Sequence, residues 1–179
     1  MLKFVPNLIT ISRILSAFFF VLVFLKGKFG WALIIFSFAA VSDFFDGYIS
    51  RKFKITSEFG AMLDPVADKV LMFASYLLFA YEKIIPYYLA AVVILRDLLI
   101  LAVVSICLLK KIKLKFSPLM SSKINTAIQL MFVILVLTCK TFSINLSLDV
   151  FVLFVCGVTI YSGLDYARRY EWIKNELCS

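Results

Sequence analysis

Four aspartates stand out for their spacing: Asp43 and Asp46 three residues apart, Asp64 and Asp68 four apart. On a helix, residues three or four apart share a face, so each pair directs two carboxylates to one side. Carboxylates gathered in one place repel, and without compensation some take up protons. A pair of divalent cations removes the conflict and becomes the largest charge in the site. The chain has no histidine. Histidine-based catalysis and ligation are thereby excluded, and carboxylates are left for any metal work, a donor set suited to Mg²⁺ or Mn²⁺. Cys107, Cys139, Cys156 and Cys178 show no CxxC spacing, so neither a zinc site nor a disulfide framework is indicated. The plainer reading makes the aspartates helix caps and partners of Arg51, Lys52 and Lys69. Caps, however, do not require four acids at one depth, and Asp43 is not at a helix start.

The elements that must position these groups are apolar helices. Of the 179 residues 63% are hydrophobic and 17% charged, against about 45–50% and about 25% in soluble domains. Six stretches, 4–25, 29–50, 59–81, 84–109, 116–139 and 142–166, are long enough to cross about 30 Å of hydrocarbon, where the backbone must satisfy its own hydrogen bonds as helix. The expected fold is therefore an all-α integral membrane protein of six transmembrane helices, one domain over residues 1–179. Arg13 interrupts the first apolar run and no small-residue cleavage site follows Leu25, so that run is expected to stay as a span.

With the N-terminus inside, the cytoplasmic segments carry Lys3, Arg51, Lys52, Lys54, Lys110, Lys111, Lys113, Lys115, Arg168, Arg169 and Lys174, and the outer ones only Lys26, Lys28, Lys83 and Lys140. The basic residues thus place both termini in the cytoplasm and account for the net charge of +8 without a nucleic-acid partner. The run at 110–115 reads as a topology determinant that also attracts anionic headgroups. Asp43 and Asp46 then close span two and Asp64 and Asp68 open span three, at one depth near the cytoplasm. Pro65 fits a first helical turn, making Asp64 a natural helix start. Gly47 and Gly60 would let a phosphate approach the backbone, or else serve helix packing. Other charges inside or at the ends of spans are Arg13, Lys69, Arg96, Asp97, Lys123, Asp149 and Asp165. Adjacent helical residues point about 100° apart, so a direct Arg96–Asp97 pair is not favoured. Asp149 reads as a solvated helix-start residue. The roles of Arg13, Lys69, Asp97 and Asp165 stay open.

Written out, Asp43-Phe-Phe-Asp46-Gly47-Tyr-Ile-Ser50-Arg51, eight residues, then Gly60-Ala-Met-Leu-Asp64-Pro-Val-Ala-Asp68 resembles the DxxDGxxAR(x8)GxxxDxxxD signature of the CDP-alcohol phosphotransferases. Ser50, where the family has Ala, is the one departure. Within the family the chain is most similar to the phosphatidylglycerophosphate synthases, on Pro6-Asn7-Leu-Ile-Thr10-Ile-Ser-Arg13, Arg96-Asp97, Ser122-Lys123-Ile-Asn125-Thr126 with Gln129, and Tyr161-Ser-Gly163-Leu-Asp165-Tyr166. Asn125 departs from the Lys common in that fifth-span motif.

The resemblance implies transfer of a phosphatidyl group from CDP-diacylglycerol to sn-glycerol 3-phosphate, releasing CMP. It implies two Mg²⁺ or Mn²⁺ ions on Asp43, Asp46 and Asp64, with Asp68 as general base also touching metal. It implies a CDP site of Asn7, Thr10, Asp43, Asp46, Gly47, Ser50, Arg51 and Gly60, and a homodimer in a bacterial inner membrane with its site facing the cytoplasm. The residues agree with this chemistry. An acceptor hydroxyl needs a base within hydrogen-bonding reach, and without histidine a carboxylate is the candidate: Asp68, last of the four and one turn deeper. A glycerol 3-phosphate dianion needs cations, for which Arg96, Lys123 and Arg168 are the candidates. The alternatives are another acceptor (cardiolipin, phosphatidylserine or phosphatidylinositol-phosphate synthase types), a prenyltransferase, or an ion transporter built on intramembrane carboxylates.

Overall fold

The computed structural model describes residues 5–53, 58–109 and 120–178, with side chains described for 12–42, 69–102 and 120–168. The described residues are helical: α1 (Val5–Leu25), α2 (Phe29–Phe53), α3 (Glu58–Tyr81), α4 (Tyr87–Leu109), α5 (Met120–Thr141) and α6 (Asp149–Cys178). Helix α4 begins at Tyr87 rather than near 84 and α6 runs past 166 to Cys178, and two readings of helix starts change for local reasons. Helix α3 begins at Glu58, so Pro65 is not in its first turn and Asp64 does not start it. An interior proline cannot donate the i→i−4 bond to the carbonyl of residue 61. Helix α6 begins at Asp149 rather than near 142, because the polar stretch Ser143–Ser147 forms the connection. The Ser147 hydroxyl donates to Asp149 Oδ2 (3.1 Å), and Asp149 is exposed in the first turn, where an acid complements the helix dipole.

The helices group into two compact units. The first comprises residues 1–81 and 133–146, the second 82–132 and 147–179. In the first, α1 packs against both α2 and α3. Ala17, Phe20 and Phe24 of α1, Ala32 and Phe36 of α2, and Met72, Tyr76, Phe79 and Ala80 of α3 are buried, each set recurring at helical spacing. The small residues let helices approach closely, which matters where lipid supplies no hydrophobic drive between them. The Phe20 and Phe36 rings lie 5.8 Å apart, and Phe24 sits 5.3 Å from Phe29 and 5.7 Å from Phe79. The end of α1, the start of α2 and the end of α3 therefore meet at one pole of the unit.

That pole is shaped by backbone stops. Helix α1 closes with Gly27 N–H on the Phe24 carbonyl (2.9 Å) and Lys28 N–H on the Val23 carbonyl (3.2 Å), with Gly27 at φ 71°, which is a Schellman cap. Helix α5 ends likewise: Ile144 N–H bonds the Cys139 carbonyl (2.9 Å) and Ser143 stands at φ 53°.

In the second unit α4 packs against α6. Among the described residues, Met120–Thr141 and Asp149–Arg168 are long and apolar enough to cross a membrane. Large apolar side chains face outward from both units, including Phe38, Leu99, Met131 and Leu153, a surface suited to hydrocarbon rather than water.

The two caps make opposite predictions. Gly27→Ala forces a Cβ into the left-handed region and should cost about 1–2 kcal/mol. Ser143→Gly relieves the same strain and should leave stability unchanged or raise it by up to about 1 kcal/mol. Thermal unfolding of the detergent-solubilised variants checks both signs.

Candidate active site

The aromatic pole gives a reference for depth along the first unit. Counting about 1.5 Å per helical residue from Phe29, Asp43 lies about 21 Å and Asp46 about 26 Å away along α2. From Phe79, Asp64 lies about 23 Å and Asp68 about 17 Å away along α3, and from Phe24, Thr10 and Asn7 lie about 21 and 26 Å away along α1. The backbones of α1, α2 and α3 thus carry these positions in one band at the pole opposite the phenylalanines. The side chains of Asn7, Thr10, Asp43, Asp46, Gly47, Ser50, Arg51, Gly60, Asp64 and Asp68 lie outside the described residues. Arg13 and Lys69, both half-buried and both engaged in polar interactions, stand at about 17 and 15 Å on the same scale. They border the band as cations able to offset carboxylates.

The acids of this band, Asp43, Asp46, Asp64 and Asp68, are all aspartates. Hard divalent cations fit such a set, whereas soft or imidazole-seeking metals do not.

The second unit holds a buried polar network. Arg96 and Asp97 on α4 are 5% and 1% exposed and pair directly, Arg96 Nη1 to Asp97 Oδ1 at 2.6 Å. This corrects the expectation that neighbours on a helix would not meet. The angular argument holds for Cβ directions, but a guanidinium on a long flexible stem can swing back, and burial rewards the contact because an uncompensated charge there is costly. Arg96 Nη2 also donates to Ser122 Oγ on α5 (2.8 Å) and Ser162 Oγ on α6 (2.7 Å), so one side chain ties three helices. Its Nε has no hydrogen-bond partner.

One turn and two turns along α5 from Ser122, Asn125 and Gln129 are fully buried. Gln129 Nε2 donates to Thr159 Oγ1 (3.3 Å), and that hydroxyl donates to Asn125 Oδ1 (3.0 Å). Asn125 Nδ2 is buried without a partner. Ser121 donates to Asp165 Oδ2 (2.6 Å), and Asp165 is half-buried. Lys123 and Arg168 are exposed. For Lys123 this corrects its reading as a buried-span cation: with 122, 125 and 129 facing inward, 123 is rotated about 100° away and, near the helix start, can extend to the headgroups.

The sequence reading did not single out Ser121 or Thr159, and it used Ser162 only as part of a motif. Polar residues recurring at 122, 125 and 129 within an apolar span were the available signal. Their partners on α6 had no comparable signal, since a lone Thr or Ser in a membrane helix commonly bonds its own backbone. Thr126 does so here, to the Ser122 carbonyl (3.1 Å).

Residues 3–161 match the CDP-alcohol phosphatidyltransferase family model, and the chain belongs to that family. This defines the class: a phosphatidyltransferase-family chain whose described helices include two long and apolar enough to cross a membrane. A cardiolipin synthase (CMP-forming)/mitochondrial hydrolase fusion protein of Schizosaccharomyces pombe is 34% identical over 95% of this chain and 31% of that protein. A cardiolipin synthase (CMP-forming) of Rattus norvegicus is 30% identical over 92% and 62%. A CDP-diacylglycerol–glycerol-3-phosphate 3-phosphatidyltransferase of Pectobacterium atrosepticum is 48% identical over 42% of this chain and 43% of that protein. The chain thus spans about a third to under two thirds of the length of these relatives.

Breaking the Arg96–Asp97 pair from one side should be severe. Asp97→Ala leaves a buried guanidinium unbalanced and should cost about 3–5 kcal/mol, whereas the double change Arg96→Met/Asp97→Leu should regain most of it. Unfolding midpoints of the single and double variants measure this.

Proposed function

We propose that this chain is a CDP-diacylglycerol-dependent phosphatidyltransferase whose acceptor is sn-glycerol 3-phosphate, working at the cytoplasmic face of a bacterial inner membrane with all six helices spanning it. One observation carries the reading: the positions of the signature aspartates fall in one band on helices packed around α1. The 48% identity to a glycerol-3-phosphate phosphatidyltransferase supports the acceptor.

In this reading Asp43, Asp46 and Asp64 hold two Mg²⁺ or Mn²⁺ ions that Asp68 touches without being needed to retain them, with the CDP moiety against Asn7, Thr10, Gly47, Ser50, Arg51 and Gly60. When bound there, such ions supply positive charge to diphosphate oxygens. Asp68 takes the proton from the acceptor hydroxyl as its oxygen attacks the phosphorus of the phosphatidyl group. The bond from that phosphorus to the oxygen of CMP breaks, and CMP leaves with the electron pair. Arg51 holds the departing nucleotide. Of the cations considered for the acceptor phosphate, Arg96 is the inward-facing one, with its Nε unpartnered, whereas exposed Lys123 and Arg168 could meet that phosphate only from the headgroup side.

A second reading keeps the donor and replaces the acceptor with phosphatidylglycerol, giving cardiolipin. It is favoured by the two cardiolipin synthase relatives that match 95% and 92% of this chain. Purified protein supplied with CDP-diacylglycerol and, separately, glycerol 3-phosphate, phosphatidylglycerol, serine and inositol phosphate decides between them. CMP release with glycerol 3-phosphate alone, abolished by EDTA and restored by Mg²⁺, is expected. Release with phosphatidylglycerol alone would replace the first reading by the second.

Two variants assign the acids. Asp68→Asn should lower turnover by at least about 100-fold while the Mg²⁺ titration of substrate binding stays near normal. Asp43→Asn should raise the Mg²⁺ concentration for half-maximal rate, and an unchanged titration would remove Asp43 from the ligand set.

A further inference from the structure

Every acid of the first unit, Asp43, Asp46, Glu58, Asp64 and Asp68, belongs to the half of the unit away from the phenylalanine pole, and none occurs in residues 1–42, 69–81 or 133–146. The pole itself carries three exposed cations. Lys26 and Lys28 flank Gly27 in the α1–α2 turn, and Lys140 sits in the last turn of α5. The ends of α2 and α5 are in contact there, since a Cβ placed at Gly30 would lie 3.4 Å from Thr141 Cγ2. Lys28 and Lys140 each stand within two residues of that contact.

Around these lysines the surface is aromatic: Trp31, Tyr81 and Phe142 are 62%, 72% and 68% exposed. Trp and Tyr of this kind occupy the headgroup level of a bilayer, so the lysines project into the phosphate layer. Exposed Glu82 follows Tyr81 directly and is itself followed by exposed Lys83, so the lysines are in excess there and attract anionic lipid, each adding to the attraction as long as it lies within a screening length of the surface. The turn holding two of them is fixed by the Gly27 cap, so their placement does not depend on a floppy loop.

We propose that this pole is a docking surface for acidic phospholipid headgroups in the leaflet opposite the aspartate band, with Lys26, Lys28 and Lys140 contacting the phosphates and Trp31, Tyr81 and Phe142 flanking the acyl–headgroup boundary. The surface is separate from the band of acids and independent of which acceptor the enzyme uses.

The test uses the full chain in phosphatidylcholine nanodiscs containing a trace of photoreactive phosphatidylglycerol or, in parallel, photoreactive phosphatidylcholine, with cross-linked peptides mapped. Segments 26–31 and 138–142 should label at least about tenfold more with the acidic probe. That excess should be lost in Lys26→Gln/Lys28→Gln/Lys140→Gln, and should shrink in the unsubstituted protein at high salt. Labelling at 110–115 in the same triple variant reports that the protein is inserted. Equal labelling by the two probes at 26–31 and 138–142, or an acidic-probe excess there that neither salt nor the substitutions reduce, would overturn the proposal. If the triple variant fails to insert, the salt response of the unsubstituted protein decides alone.

Discussion

A charge surrounded by apolar helices must be balanced where it stands, because hydrocarbon offers it neither water nor a distant counter-ion. This constraint organises both units. In the second, Arg96 and Asp97 are taken almost wholly out of solvent and answer each other at 2.6 Å, with two serine hydroxyls sharing the guanidinium. In the first, the acids are confined to one half of the unit and the aromatic packing to the other, so the charge-bearing half is kept apart from the packed end.

The separation of these halves follows from how the helices are stopped and stacked. Phe24 touches both Phe29 and Phe79, which joins the end of one helix to the start of the next and the end of the third. Rise per residue then sets the depth of everything else along the three helices. Small buried residues, Ala17, Ala32 and Ala80, permit the approach that brings those rings together. The chain belongs to the CDP-alcohol phosphatidyltransferase family, and on this short bundle the aromatic packing and the acidic positions occupy opposite ends.

The polar network on α4, α5 and α6 makes a different use of the same constraint. Asn125, where the resembling enzymes commonly carry Lys, is fully buried and accepts from Thr159. A neutral amide there adds no charge to a region that already contains one buried ion pair. A Cβ at Gly163 on α6 would meet Arg96 Cγ at an ordinary 3.6 Å. Close approach is therefore not what requires a glycine at that position.

The sequence by itself was enough to read apolar helices, the spacing of four acids and the absence of any histidine, because composition and periodicity are local quantities. Most helix ends followed too, where a glycine, a proline or a polar stretch interrupts the apolar run. Pro65 misled, since a proline that could open a helix lies well inside one that starts at Glu58. Pairing was decided only by tertiary structure. That Arg96 would bend to its own neighbour and reach two other helices, that Lys123 would turn outward, and that Lys26, Lys28 and Lys140 would gather at one pole all depend on which helix faces lie together. Such contacts join residues up to 66 positions apart in the chain, and no local pattern records the direction in which a long side chain finds its partner.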